Sequence, residues 1–254
     1  MNKYNLKKFS LIILIIIVVF LVIISIKPKE TIAPITPNDP VVNNNNKIIN
    51  LCYYRGEKTT SGFYEVAWLK INTNGSENNK VVGEFQNLPE STSKVGKFEG
   101  TVGPLDQKTM ARQAIVWWNS RDEGVEAKEE LAIQFGDGSA TVGFGKMINR
   151  GDGVYVYKDK ANLYYIKAMS QIDCQSLDEK LFAERYIRDN IKTIATNQPV
   201  LGGSWYVISV SVNPTTHTAE VIYEDGHIQS KANIIYTYQK TPETITVTKF
   251  EVIK

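Results

Sequence analysis

Histidine and cysteine are the scarce residues of this chain, with two of each among 254. Both histidines, His217 and His227, fall in one C-terminal stretch of strand pattern. If Asp225-Gly226 is a two-residue turn, Glu224 opposes His227 and His217 opposes Ile234. The imidazoles then stand roughly 23 Å apart along the ladder at ~3.3 Å per residue. They cannot share an ion, so no metal site is expected, and Glu224, Asp225 and His227 read as a charged hairpin tip. Also missing are a G-x-S-x-G nucleophile elbow, an H-E-x-x-H helix and a phosphate-cradling G-x-x-x-x-G-K-S/T loop. A carboxylate pair for sugar chemistry needs two acids held across a cleft, and the sequence cannot place one. The chain is therefore read as non-catalytic, with no catalytic residues and no cofactor.

A basic excess is absent too. Lysine and arginine number 29 against 27 acids, and Lys3, Lys7 and Lys8 lie ahead of the first apolar run with no acid beside them, which leaves 26 basic against 27 acidic residues beyond it. A nearly neutral surface offers no footprint for a phosphate backbone, so nucleic acid is not an expected partner.

What the chain does have is hydrocarbon at its start. Residues 9–26 are apolar except for Ser10 and Ser25, long enough as a helix to cross most of a ~30 Å bilayer core. The run leaves through Ile23-Ile24-Ser25-Ile26-Lys27-Pro28, which is no small-x-small cleavage site. The first cysteine, Cys52, lies too far on for lipid attachment. The expectation is an uncleaved, single-pass transmembrane signal anchor in the cell membrane. Its N-terminus is cytoplasmic, by the positive charge that precedes it, and everything after Lys27 is extracytoplasmic; cleavage and release is the alternative. Residues 27–47 hold Pro28, Pro34, Pro37, Pro40 and the tract Asn43-Asn44-Asn45-Asn46. They read as a stalk, reaching at most roughly 65 Å at ~3.1 Å per residue.

On the exported side, an oxidising setting, Cys52 and Cys174 are expected to form a disulfide, the alternative being two buried thiols. From residue 48 the chain reads as short strands over 48–54, 63–72, 81–87, 95–102, 112–118, 127–135, 140–148, 154–157 and 163–169. Asn74-Gly75, Gly136-Asp137-Gly138 and Gly151-Asp152-Gly153 supply the positive φ of tight turns. Gly83, Gly96, Gly100, Gly143 and Gly145 mark bends or bulges. Residues 48–175 are thus expected to be an antiparallel β-meander curled into a barrel, with a two-sheet sandwich as second choice.

Residues 176–254 read as a helix plus a four-stranded antiparallel sheet. Ser176-Leu177-Asp178-Glu179 matches a capping box. Apolar residues then recur at helical spacing until Asn197-Gln198-Pro199, and strands follow over 205–212, 219–224, 227–238 and 244–253. The fold class is mainly β with an α+β part.

The meander resembles the lipocalin-like barrels in architecture, and the helix-plus-sheet order resembles the cystatin-like and NTF2-like folds in topology. The chain as a whole looks like signal-anchored extracytoplasmic bacterial proteins. Gln198-Pro199-Val200-Leu201-Gly202 fits the Q-x-V-x-G loop with which cystatins block papain-like proteases, but it directly follows the helix, whereas in cystatins that loop joins two strands.

Candidate ligand-binding residues are the aromatics Trp68, Trp117, Trp118, Tyr155 and Tyr157, which pair apolar area with a polar handle, together with Arg112 and Glu129. Alternation places Glu129 on the apolar side of its strand, either inside and paired with Arg112 or Arg121, or at the rim in water. Core packing is the competing role for the aromatics. Arg150-Gly151-Asp152 spells an adhesion tripeptide and Asn74-Gly75-Ser76 a glycosylation sequon; both read better as turns. The functional expectation is a membrane-anchored extracytoplasmic binding protein for a small apolar ligand or an envelope protein. The alternative is an envelope scaffold, and more distantly a hydrolase or a cysteine-protease inhibitor.

Overall fold

Period-two alternation makes the first half of the molecule. In the computed structural model, which describes residues 48–60, 62–74, 79–88, 94–200 and 202–253, the chain runs as β1 (Ile48–Lys58), β2 (Tyr64–Asn74), β3 (Lys80–Leu88), β4 (Lys94–Thr101), β5 (Ala111–Asp122), β6 (Val125–Gly136), β7 (Ser139–Phe144), β8 (Met147–Asn149), β9 (Val154–Tyr157), β10 (Tyr164–Tyr165) and β11 (Met169–Ile172). Strands β1 to β7 pair antiparallel in sequence order, β7 pairs with β11, and β11 returns to β1 through Cys52↔Ile172 and Tyr54↔Ser170. Eight strands thus close a barrel, which leaves no open edge among them. The expected membrane anchor and stalk lie outside the described residues, as does the Gly75-Ser76 part of the sequon. Among the described residues no helix is long and apolar enough to cross a membrane.

Every second residue points inward. Tyr53, Leu69, Ile71, Val81, Phe85, Phe98, Val116, Trp118, Leu131, Ile133, Phe135, Val142 and Met169 form one buried cluster that fills the barrel. Burying such side chains is the dominant favourable term of folding, at ~25 cal/mol per Å² of apolar surface.

Two glycines shape the wall. A Cβ on Gly83 would lie 2.1 Å from the Lys70 carbonyl oxygen, and one on Gly96 would lie 1.9 Å from that of Asn119. The registers through both positions are unbroken, so these glycines mark bends without bulges.

The expected simple meander is corrected between residues 140 and 169. The predicted strand 140–148 divides at Gly145 into β7 and β8, and 163–169 is replaced by the short β10 and β11. Strand β9 runs parallel to β6, through Lys128↔Val154 and Glu129↔Tyr155. The cause is a shared edge: β7 occupies β6 only over Ala132 to Phe135. The Tyr157 hydroxyl then accepts the Ala132 N–H at 3.1 Å and donates to the Gly143 carbonyl at 2.8 Å. A tyrosine sits where the next rung would form, and the vacated edge goes to β9.

Helix α1 (Cys174–Ile194) follows, and it starts two residues ahead of the expected capping box. Asp173 is the cap, its carboxylate accepting the Ser176 N–H at 2.9 Å, which satisfies an otherwise orphan donor. Glu179 is not free to complete the box because it is engaged on the sheet. Ala183, Ile187 and Ile191 pack on β12 (Tyr206–Asn213), β13 (Thr218–Glu224), β14 (Gln229–Lys240) and β15 (Glu243–Ile253), an antiparallel sheet in that order, around Trp205, Val210, Tyr223, Ile234 and Tyr236. Glu224 opposes Gln229, so the β13–β14 turn has four residues, not two. Asp225 accepts the His227 and Ile228 N–H groups, both at 2.9 Å, and this Asx-type closure holds the wider turn.

The first turn of α1 docks on the barrel's outside. Leu177 buries Cys52, Val66 and Trp68. The expected disulfide, Cys52–Cys174, joins β1 to the helix start with its Cα atoms 5.2 Å apart, well inside the range for an unforced bridge.

Candidate functional site

The residues singled out from the sequence do not converge. Trp118 is a core residue at 1% exposure, its ring 5.3 Å from that of Phe85 and its Nε1 donating to the Gly96 carbonyl at 2.9 Å. Tyr157 is the rung-breaking tyrosine, and burial pushes its hydroxyl up to about 12 against the opposing hydrogen bond from Ala132. Trp68 faces outward but is covered by α1, with Nε1 donating to Gln86 at 2.7 Å. Trp117 lies half-buried on the outer face beneath Lys128 and Arg150, and Tyr155 is exposed on β9.

Glu129 does point inward, at 8% exposure. It pairs with Lys94 and accepts the Ser120 hydroxyl. Neither expected arginine reaches it. Arg112 opposes Phe135 while Glu129 opposes Trp118, six residues along the strand, or roughly 20 Å at ~3.3 Å per residue. Arg121 alternates to the outside and pairs with Glu126 at 2.7 Å. Lys94 stands inward on β4, its ammonium 5.2 Å from the centre of the Trp118 ring. This cluster is an ion pair between a buried carboxylate and a half-buried ammonium at one end of a filled barrel.

A second buried polar group lies between α1 and the sheet. Glu179 accepts the Tyr236 hydroxyl at 2.9 Å and meets His217 Nδ1 at 2.8 Å. Lys180 donates to the Val212 carbonyl, stands 3.3 Å from Glu184 and lies over the Tyr54 ring. Burial pushes the Lys180 amine down and the Glu184 carboxyl up, each opposed by the other's charge. These groups answer one another and fix the helix on the sheet. Among the described residues no group of three His, Cys, Asp or Glu side chains could hold a metal ion.

The remaining motifs are structural. Arg150 and Asp152 bind each other, Nε to Oδ2 at 3.1 Å, so the tripeptide folds on itself. The helix-to-strand connection containing Gln198 and Val200 is tied down by the Val200 N–H, which donates to Asp225 at 2.6 Å.

Space for a ligand is found outside the barrel. A trough of about 680 Å³ runs along the outer face of β1 to β5, walled at one end by Cys174 and Asp178 of α1. Gly83, Ile71 and Phe98 border its floor, although the side chains of Ile71 and Phe98 turn into the barrel core. Two cross-strand rows form its walls. One runs Lys70, Glu84, Lys97, Asn119, and the other Asn50, Asn72, Val82, Glu99. Lys70 is held by Asp178 at 2.6 Å. Among the described residues, the side chains of Asn50, Asn72, Glu84, Lys97, Glu99 and Asn119 have no hydrogen-bond or ion-pair partner. None of these six was singled out from the sequence. Their outward alternation was visible there, whereas the registers that assemble them were not.

No protein-family model, no curated protein and no solved structure matches the chain.

Proposed function

We propose that this protein is a membrane-anchored, extracytoplasmic binding module whose contact surface is the outer trough of the barrel. The observation that carries the reading is the contrast between the two faces of the same strands. The inner face is consumed by packed side chains, whereas the outer face presents a concavity of about 680 Å³ with polar groups left unpaired. Ligand sites are concave and combine apolar surface with a few convergent polar groups. The anchor, the orientation and the exported location rest on residues 1–47 and their charge pattern. The disulfide is in keeping with an oxidising compartment. In this reading the trough binds and carries out no reaction.

A photo-crosslinking amino acid placed at Val82, which lines the trough, tests the reading in cells producing the full chain. The comparison site is Ile148, comparably exposed on β8. A discrete adduct at Val82 and none at Ile148 is expected. Equal yields at both sites, or none at either, would defeat the reading.

One observation favours the scaffold alternative. Among the described residues strand β15 pairs only with β14, leaving the outer edge of residues 243–253 unpaired, and such an edge accepts a strand from a partner. Adducts confined to β15 would move the contact there.

A further inference from the structure

We infer that the trough takes a neutral, polyhydroxylated ligand, a short stretch of saccharide chain. This inference rests on the proposed role of the trough as the contact surface.

Charge comes first. The lining carries Lys70 and Lys97 against Glu84, Glu99 and Asp178, and Lys70 is already neutralised by Asp178. The surface therefore has no strong field of either sign, and a polyanion or polycation would gain little by settling on it.

Hydrogen-bonding chemistry comes second. Asn50, Asn72 and Asn119 each offer an amide that donates and accepts, and none is spent within the protein among the described residues. Glu84 and Glu99 accept, and Lys97 donates. A sugar hydroxyl also does both, so a run of hydroxyls can be matched by these amides together with the carboxylates. An apolar ligand would leave these groups desolvated and unpaired, at a cost.

Apolar surface is the third element. Val82, exposed among the polar groups, supplies it, suited to the C–H face of a pyranose ring. Trp117 stands opposite Glu99 in the adjoining strand, on the same outer face, with Lys128 and Arg150 over its ring. The volume of about 680 Å³ lies within the roughly 300–1,000 Å³ of small-ligand sites.

The test is calorimetric titration of the full chain in lipid nanodiscs with maltotriose, cellotriose and triacetylchitotriose as probes. Saturable binding of at least one is expected, weakened at least about tenfold by Asn72→Ala combined with Asn119→Ala and unchanged by Asn233→Ala, an exposed amide on the other sheet. Glu99→Gln, which keeps the fold and one acceptor, should weaken it less than the double variant. Binding that the double variant leaves intact would overturn the assignment of the site. No binding of any probe, with the Val82 cross-link still formed, would overturn the saccharide class and leave the trough as contact surface. No binding and no cross-link would overturn both.

Discussion

Breaking the Cys52–Cys174 bond should cost this protein a large part of its stability, and the size of the loss follows from its sequence separation of 122 residues. A cross-link acts mainly by denying the unfolded chain its extended conformations. For a loop of this size the chain-entropy relation gives about 4.9 kcal/mol at 25 °C. In a domain of this length that is a fall in Tm of about 10–20 °C. The assay is urea unfolding of the full chain in nanodiscs, followed by tryptophan fluorescence, for the oxidised protein, the reduced protein and Cys52→Ala with Cys174→Ala. The reduced protein separates the cross-link from packing, because Val66, Trp68 and Leu177 still bury the Cys52 side chain. If the effect lies in the unfolded state, the m-value should rise as the unfolded chain expands. A loss below about 1 kcal/mol on reduction would contradict an entropic origin, since the chain-entropy relation requires several times that for this loop.

Three further perturbations probe the elements that hold the trough. Trp68→Ala empties the junction between barrel and helix and removes the hydrogen bond to Gln86; a loss of about 3–5 kcal/mol is expected in urea unfolding, and a loss under about 1 would mean that the junction is loose. Gly83→Ala puts a methyl 2.1 Å from the Lys70 carbonyl oxygen, so strands β2 and β3 must part; about 2–4 kcal/mol is expected, with wild-type stability counting against the bend. Alkaline pH should destabilise the barrel through Tyr53 and Tyr157, both pushed from 10.0 to about 12 mainly by burial. A raised pKa means that the folded state keeps its proton longer, so this stability is whole below pH 10 and is lost as pH rises through about 12, at about 2–3 kcal/mol per tyrosine. Tyr53→Phe and Tyr157→Phe should each flatten the alkaline fall of the urea midpoint, and a fall parallel to wild type would contradict the assignment.

The long strands were legible because their alternation is sustained. The row Ala67, Leu69, Ile71 inward against Trp68, Lys70, Asn72 outward needs no structure to read. Barrel over sandwich, the disulfide and the helix-then-four-strands order could likewise be anticipated from turns, compartment and periodicity. Strands β8 to β11, at two to four residues each, carry no usable period, and nothing in a linear chain says that a Tyr157 hydroxyl will replace a ladder rung. The helix start was misjudged because Asp173 and Ser176 are both good caps, and only the engagement of Glu179 by Tyr236 and His217 decides between them. The inward aim of Glu129 followed from alternation, but its partner depended on which end of the strand each cation occupies. The trough was illegible for the same reason: it is assembled from five strands whose relative register is a tertiary property.

Whether binding uses the outer trough of a filled barrel is decided by native mass spectrometry of the full chain extracted in mild detergent from its producing cells. Wild type is compared with Asn72→Trp combined with Asn119→Trp, which fills the trough and leaves the interior untouched. A discrete non-lipid adduct is expected on wild type and none on the filled variant. An adduct that survives in the filled variant, or a bare wild-type mass, would contradict it.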